Sequence, residues 1–237
     1  MSVAWEYELC REKLREFRSA LAITESGEVP PGFVFAYAVV PTLYRALTHP
    51  ELKDQRARLR LATLSVRWNA QVAAGDKLSG SLASIDASAA TSVCTAAGGA
   101  EPTVEIRLGF ADGLEATVEP GPILGERITA DAGRSIAFAA ATWDLNPAYY
   151  NERFASAAGL DGTVVPPGLP ASWVLQMIRR SSGSRLVAAH VGFGPAARTG
   201  AELVGRVSQS SGSASFSVSA GETVVCWGQA AWDHEAL

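Results

Sequence analysis

Part of this chain occurs twice. "VPPGF" at 29–33 returns as "VPPGL" at 165–169, and each copy opens an apolar stretch of helical length, "GFVFAYAVVPTLYRAL" and "GLPASWVLQMIRR". Downstream, "LSVRWNAQVAAGDKL" at 64–78 matches "AHVGFGPAARTGAEL" at 189–203, with Trp68, Gly75 and Leu78 falling on Phe193, Gly200 and Leu203 at one offset. Upstream, "REKLREFRSA" aligns with "GRSIAFAAAT" through Phe17 and Phe138. An internal repeat constrains the fold more than any single segment does, because each copy must be one structural unit. The reading is two halves, residues 1–118 and 119–237. The seam lies in "EATVEPGPILGERI", where prolines and glycines interrupt regular structure.

Within each half a short lead-in precedes a long apolar helix, and strands follow. In "ARLRLATLSVRW", Leu64, Val66 and Trp68 share one face, and Thr63, Ser65 and Arg67 share the other, which is the period of a half-buried strand. "KLSGSLASID", "TVEIRLGFA", "SGSASFSVSA" and "ETVVCWGQAAW" alternate in the same way, with turn residues in "ADGL" and "SAGE". The expected architecture is α+β: an apolar helix wrapped by a curved antiparallel sheet, built twice. Pro170 fits a first helical turn, whereas Pro41 is expected to kink or end the first helix.

The bulk properties narrow the function. Apolar residues are 48% and charged residues 19%, a globular composition. With a net charge of −4 and no Lys/Arg-rich run, a nucleic-acid partner is not expected. Cys10, Cys94 and Cys226 are isolated, so a reducing cytoplasm is expected rather than a disulfide framework. The N-terminus lacks the apolar run of a signal peptide, and "GFVFAYAVVP" is too short to span a bilayer, so no membrane partner is expected. His49, His190 and His234 are not at ligand spacing, so no metal or cofactor is expected. Parity places His190 opposite the core-facing Val191 and Phe193, on the outer side of the sheet.

The halves differ at one place. Between Phe17 and the first VPPG stand 11 residues; between Phe138 and the second stand 26. The extra segment is essentially "DLNPAYYNERFASAAG". Asn146 reads as an N-cap and Pro147 as the first helical residue. Asp144 and Tyr149 flank this helix start and are expected to face one cleft. Trp143 lies beside the acid and Trp173 lies in the second long helix; each reads either as core or as cleft wall. Tyr150 is the alternative phenol, about 100° further round the helix.

Phe138, Thr142, Trp143, Asp144, Asn146, Pro147, Tyr149 and Ala155 follow the spacing of a family motif. On these residues the C-terminal half resembles the MaoC-like hotdog hydratases and dehydratases, which include (R)-specific enoyl-CoA hydratases. The two-copy layout resembles the double-hotdog members, whose N-terminal half is degenerate. Two identities depart from the motif: Trp143 stands where the family has glycine, and Tyr149 where it has histidine. The resemblance implies a lyase acting on a 3-hydroxyacyl or 2-enoyl thioester, or a polyketide-like intermediate, carried on CoA or an acyl carrier protein. It implies Asp144 and Tyr149 as the acid/base pair and the Gly168 N–H as oxyanion donor. Trp143, Asn146, Tyr150 and Trp173 are then candidates for substrate contact. Monomer and homodimer are both compatible with two fused halves. Because tyrosine titrates near pH ~10 against ~6.5 for histidine, three readings stay open: a hydratase with an altered pair, a repurposed cyclase or lyase, and an inactive partner subunit.

Overall fold

The computed structural model describes residues 4–25, 27–52, 60–110 and 124–233. The N-terminal half contains β1 (Ala4–Glu8), α1 (Arg11–Ala20), α2 (Val40–Thr48), and then β2 (Leu61–Trp68), β3 (Lys77–Ile85), β4 (Ala89–Ala96) and β5 (Val104–Phe110). The C-terminal half contains β6 (Leu124–Thr129), α3 (Ala132–Thr142), α4 (Glu152–Ala157), α5 (Gly168–Ser182), and then β7 (Leu186–Phe193), β8 (Glu202–Ser210), β9 (Ser213–Ala220) and β10 (Thr223–Trp232). All ten strands form one sheet in the order β1-β3-β4-β5-β2-β7-β10-β9-β8-β6, and every neighbouring pair is antiparallel. The order is the same read from either edge once β1 is matched to β6 and β2 to β7. The α+β architecture with two copies is therefore observed. The expected boundary between residues 118 and 119 and the turn in "ADGL" lie outside the described residues, as does His234.

The repeat offset and the strand register locate the symmetry axis. The alignment that places Trp68 on Phe193 also places Ser65 on His190. In the β2·β7 ladder Ser65 is paired directly with His190, so the pseudo-two-fold axis passes between them. Leu64, Val66 and Trp68 are buried, as their alternation predicts, and His190 is exposed on the opposite face.

The first long helix is not a regular α-helix. Residues Pro31–Phe33 form a 3₁₀ turn and Phe35–Val39 a π turn, and α2 begins only at Val40 with Pro41 in its first turn. Pro41 neither ends nor simply kinks the helix. Its missing N–H is absorbed where the helix changes pitch. The Tyr37 carbonyl, which an α-helix would bond to residue 41, accepts a hydrogen bond from the Trp5 indole N–H at 3.0 Å. Trp5 can lie there because it is paired with Gly80, where a Cβ would come within 2.1 Å of the indole. The second helix, α5, runs without interruption, with Pro170 in its first turn, and ends in left-handed Gly183. The two helix starts touch: a Cβ on Gly32 would lie 2.4 Å from the Ser172 Cβ, and Ser172 Oγ donates to the Gly32 carbonyl. Among the described residues, no helix is long and apolar enough to cross a membrane.

Trp5→Phe keeps the ring but removes the indole donor, leaving the Tyr37 carbonyl with the weak bond from Cys94 Sγ at 3.9 Å. It should destabilise the chain by about 1–3 kcal/mol in denaturant unfolding. The loss should be smaller in a Pro41→Ala background, where residue 41 regains its N–H, so a double-mutant cycle should return a non-zero coupling energy.

Candidate functional site

The site hangs from the C-terminal end of α3. Asp131 caps the start of this helix, accepting from the Arg134 N–H at 2.8 Å. Phe138, Ala141 and Thr142 turn inward, and Phe138 packs against Phe17 of α1 at 5.4 Å between centroids. The helix ends at Trp143, whose φ of 61° is left-handed. Ala22 has φ 54° at the end of α1 and stands at the same offset from Trp143 as Phe17 does from Phe138. Both halves thus end this helix by the same reversal, and only the second half follows it with Asp144. The matching residue in the first half is Ile23.

After the reversal the insert folds as two short capped turns. Asn146 Oδ1 accepts from the Ala148 N–H at 3.0 Å, with Pro147 opening a 3₁₀ turn, Pro147–Tyr149. Asn151 caps α4 by accepting from Phe154 N–H at 3.1 Å. The Ala148 carbonyl accepts from Val164 N–H at 3.1 Å, tying the first turn to the segment that leads into α5. These contacts bury Tyr149 and aim its hydroxyl at the carboxylate: Tyr149 Oη donates to Asp144 Oδ2 at 2.9 Å.

The electrostatics follow from burial. Desolvation pushes the half-buried Asp144 carboxyl up from 3.8 to about 6, against the smaller opposing effect of the Tyr149 hydrogen bond. Tyr149 is pushed well above 10 by desolvation, then by the neighbouring negative charge and by its bond to Asp144, with Asn146 opposing. At neutral pH the phenol therefore keeps its proton and donates it to Asp144 as a hydrogen bond. One group of the pair titrates in the useful range.

The other expected residues fall in different places. Tyr150 is half-exposed and donates to the Leu145 carbonyl at 3.2 Å, turned away from the carboxylate. Trp143 is 62% exposed, with Lys13 Nζ 5.6 Å from its ring centroid. A left-handed helix end points its side chain outward, so Trp143 forms the rim of the site. Asn146 acts locally as the cap. Gly168 is buried at the start of α5, with Phe35 and Phe138 over it; a Cβ there would lie 2.7 Å from the Phe35 ring. Trp173 lies against Gly205 of β8 and lines a cavity of about 310 Å³ with Ile23, Asp131, Arg134 and Gln176. That cavity is at the N-terminal end of α3, whereas Asp144 follows its C-terminal end, about 16 Å away along 11 helical residues. Four cavities are lined by described residues at the sheet seam, beside Trp68, beside Glu25 and beside Trp173, and none of these four includes Asp144, Tyr149 or Gly168.

A carboxyl whose folded pKa is raised favours the folded state fully below pH ~4 and loses that contribution as pH rises through about 6. Asp144→Asn removes this charge. It should stabilise the chain above pH ~7 by roughly 1–3 kcal/mol and change little near pH ~4, as thermal melts at the two pH values would show. Trp143→Gly relieves the left-handed strain of about 1–2 kcal/mol but loses a cation–π contact of about 0.5–1 kcal/mol. Its melting temperature should be unchanged or higher.

No protein-family model and no curated protein matches the chain. Solved structures do. A MaoC-like dehydratase from Phytophthora capsici superposes with a TM-score of 0.78 at 13% identity, over 99% of this chain and 96% of that one. The peroxisomal multifunctional enzyme type 2 of Drosophila melanogaster gives 0.78 at 12% identity, over 98% of this chain and 48% of that one. HtdX of Mycobacterium tuberculosis gives 0.76 at 15% identity, over 98% and 100%. At these identities the likeness speaks for the backbone, and the chain has the double-hotdog fold.

Proposed function

We propose that the chain is a MaoC-like hydratase/dehydratase-type lyase. Its substrate would be a 3-hydroxyacyl or 2-enoyl thioester, or a polyketide-like acyl intermediate, on CoA or an acyl carrier protein. The observation that carries this reading is the Tyr149–Asp144 hydrogen bond at 2.9 Å, made to a carboxyl held at about 6. A carboxylate in this range is a competent base at neutral pH and a competent acid when it returns the proton. The solved structures named above, with a MaoC-like dehydratase among them, supply the analogy of fold.

In the dehydration direction Asp144 takes the α-proton of the 3-hydroxyacyl thioester. The C–H electrons form the double bond, the β C–O bond breaks, and the departing hydroxyl leaves as water with the proton Asp144 returns. Negative charge on the thioester oxygen is met by the Gly168 N–H at the start of α5, where the helix dipole is positive. Tyr149 differs from the histidine of the family motif: it holds and orients Asp144 without titrating. Asp144 then performs both proton transfers, which places them on one face of the substrate.

The rings of Phe35 and Phe138 over Gly168 favour a second reading, a partner subunit without turnover. A 3-hydroxyacyl or 2-enoyl thioester separates the two. Turnover should appear as a change in enoyl absorbance, and Asp144→Asn should cut it about 10²–10⁴-fold. No absorbance change with the folded chain counts against water chemistry, and an unchanged product profile for Asp144→Asn in the producing cell favours the partner subunit over a cyclase. The rate should rise about tenfold per pH unit below about 6 and level off above, because Asp144 acts ionised. Tyr149→Phe removes the bond that lowers this pKa, so the limb of the profile should move to higher pH.

A further inference from the structure

The outer face of the sheet carries a second chemistry-bearing cluster, at the seam between the halves and on the side away from the long helices. Four residues stand in one row across adjacent strands: Arg107 on β5 is paired with Ser65 on β2, Ser65 with His190 on β7, and His190 with Gln229 on β10. Arg67, two residues along β2 from Ser65, is paired with Glu105 on one side and Ala188 on the other. Both arginines, Glu105, His190 and Gln229 line a recess of about 520 Å³ whose wall also includes Ala188, Ala189, Ala230 and Ala231.

Three observations bear on what this recess can hold. First, it breaks the pseudo-symmetry it straddles. The axis passes between Ser65 and His190, so the counterpart of Arg107 is Gln229 and that of Arg67 is Gly192. Both guanidinium groups come from the N-terminal half, and the C-terminal half contributes small residues that leave room beside them. Second, among the described residues neither Arg67 nor Arg107 has a carboxylate within ion-pair distance, although Glu105 lines the recess and Asp86 interacts electrostatically with Arg107. The nearest acid in register, Glu105, accepts instead from Asn69 Nδ2 at 2.8 Å. Third, His190 is oriented. Its Nδ1 is bonded to Ser65 Oγ at 2.9 Å, leaving Nε2 for another partner.

Arg67 and Arg107 are diagonal neighbours on adjacent strands, a spacing of roughly 7–8 Å at Cα. Glu105, opposite Arg67 and two residues from Arg107 on β5, offsets part of their mutual repulsion, and a bound anion would offset the rest. Guanidinium forks match phosphate oxygens in pairs. The volume falls within the range of small-molecule sites, about 300–1,000 Å³. We propose that this recess binds a small organic phosphate, its phosphate group between Arg67 and Arg107 and its uncharged body over the alanines of the C-terminal half. The site is separate from Asp144, and neither depends on the other.

Calorimetric titration of the full chain at low ionic strength tests this, with adenosine 5′-monophosphate and inorganic phosphate as probes. The nucleotide should bind with a sub-millimolar Kd and more tightly than phosphate. Arg67→Gln and Arg107→Gln, both surface changes that leave melting temperature unaltered, should each weaken it at least tenfold. Ala188→Leu, which fills the recess, should weaken the nucleotide and spare phosphate. Absence of heat with either probe overturns the proposal, as do nucleotide binding untouched by both arginine substitutions and phosphate binding as tightly as the nucleotide. Light scattering showing that the chain self-associates, and that Arg67→Gln makes it monomeric, would assign the face to a second copy instead.

Discussion

The antiparallel pairing of β2 with β7 is the contact on which the rest of the molecule depends. It joins two five-stranded units into one sheet, and the Ser65–His190 pair marks the axis between them. On the helix side, the starts of the two long helices meet at Gly32 and Ser172 with no room for a side chain on Gly32. Sheet continuity on one side and helix contact on the other hold the halves in a single relative position. Once that position is set, equivalent residues in the two halves are free to diverge.

The divergence at the ends of α1 and α3 shows how function can be written onto such a frame. Ala22 and Trp143 share the same left-handed reversal, so the backbone device is common to both halves. In the first half the next residue is Ile23; in the second it is Asp144, followed by an insert whose caps at Asn146 and Asn151 bury Tyr149 beside it. The cost is visible in the carboxyl itself. Burial alone would push Asp144 further from its ordinary value, and the Tyr149 hydrogen bond restrains the shift. A carboxyl kept half-buried against its own solvation is what acid–base work requires and what packing alone would avoid.

Much of this was legible in the residues, and the gaps have physical causes. The repeat offsets carried the symmetry axis, and period-two alternation carried the buried faces of β2 and β5, whereas a bulge in β10 buries Val225 and Cys226 in succession. The Asp-x-Asn-Pro spacing carried the meeting of Asp144 and Tyr149, because caps at fixed intervals leave a short turn few shapes. β4 was not legible: "AATSVCTA" has too little contrast between its faces, although Ala90, Ser92 and Cys94 are buried. Trp173 read as a possible cleft residue because α5 is apolar on all sides, and sequence does not say which side meets which neighbour. Its ring went to Gly205. Trp143 was harder still, since its outward direction follows from a backbone angle that the family secures with glycine. The seam arginines lie on strands 40 residues apart and become neighbours only through register.

A tyrosine and a histidine beside Asp144 would make different kinds of pair. Histidine and aspartate would both exchange protons near neutrality, so two groups could share the two transfers. A phenol held well above its ordinary pKa by burial and by an adjacent carboxylate cannot. What it can do is fix the carboxylate and offer it a proton that stays on the phenol. A site of this kind has one titrating group and one acid limb in its pH profile; His190 does not serve as a second, since it lies on the outer face and is bonded to Ser65. The chemistry open to it is the kind in which a single base removes a proton and gives it back nearby. That description fits syn elimination of water from an activated acyl chain, and it sets the demand on any substrate: the proton taken and the group that receives it must lie within reach of the same carboxylate.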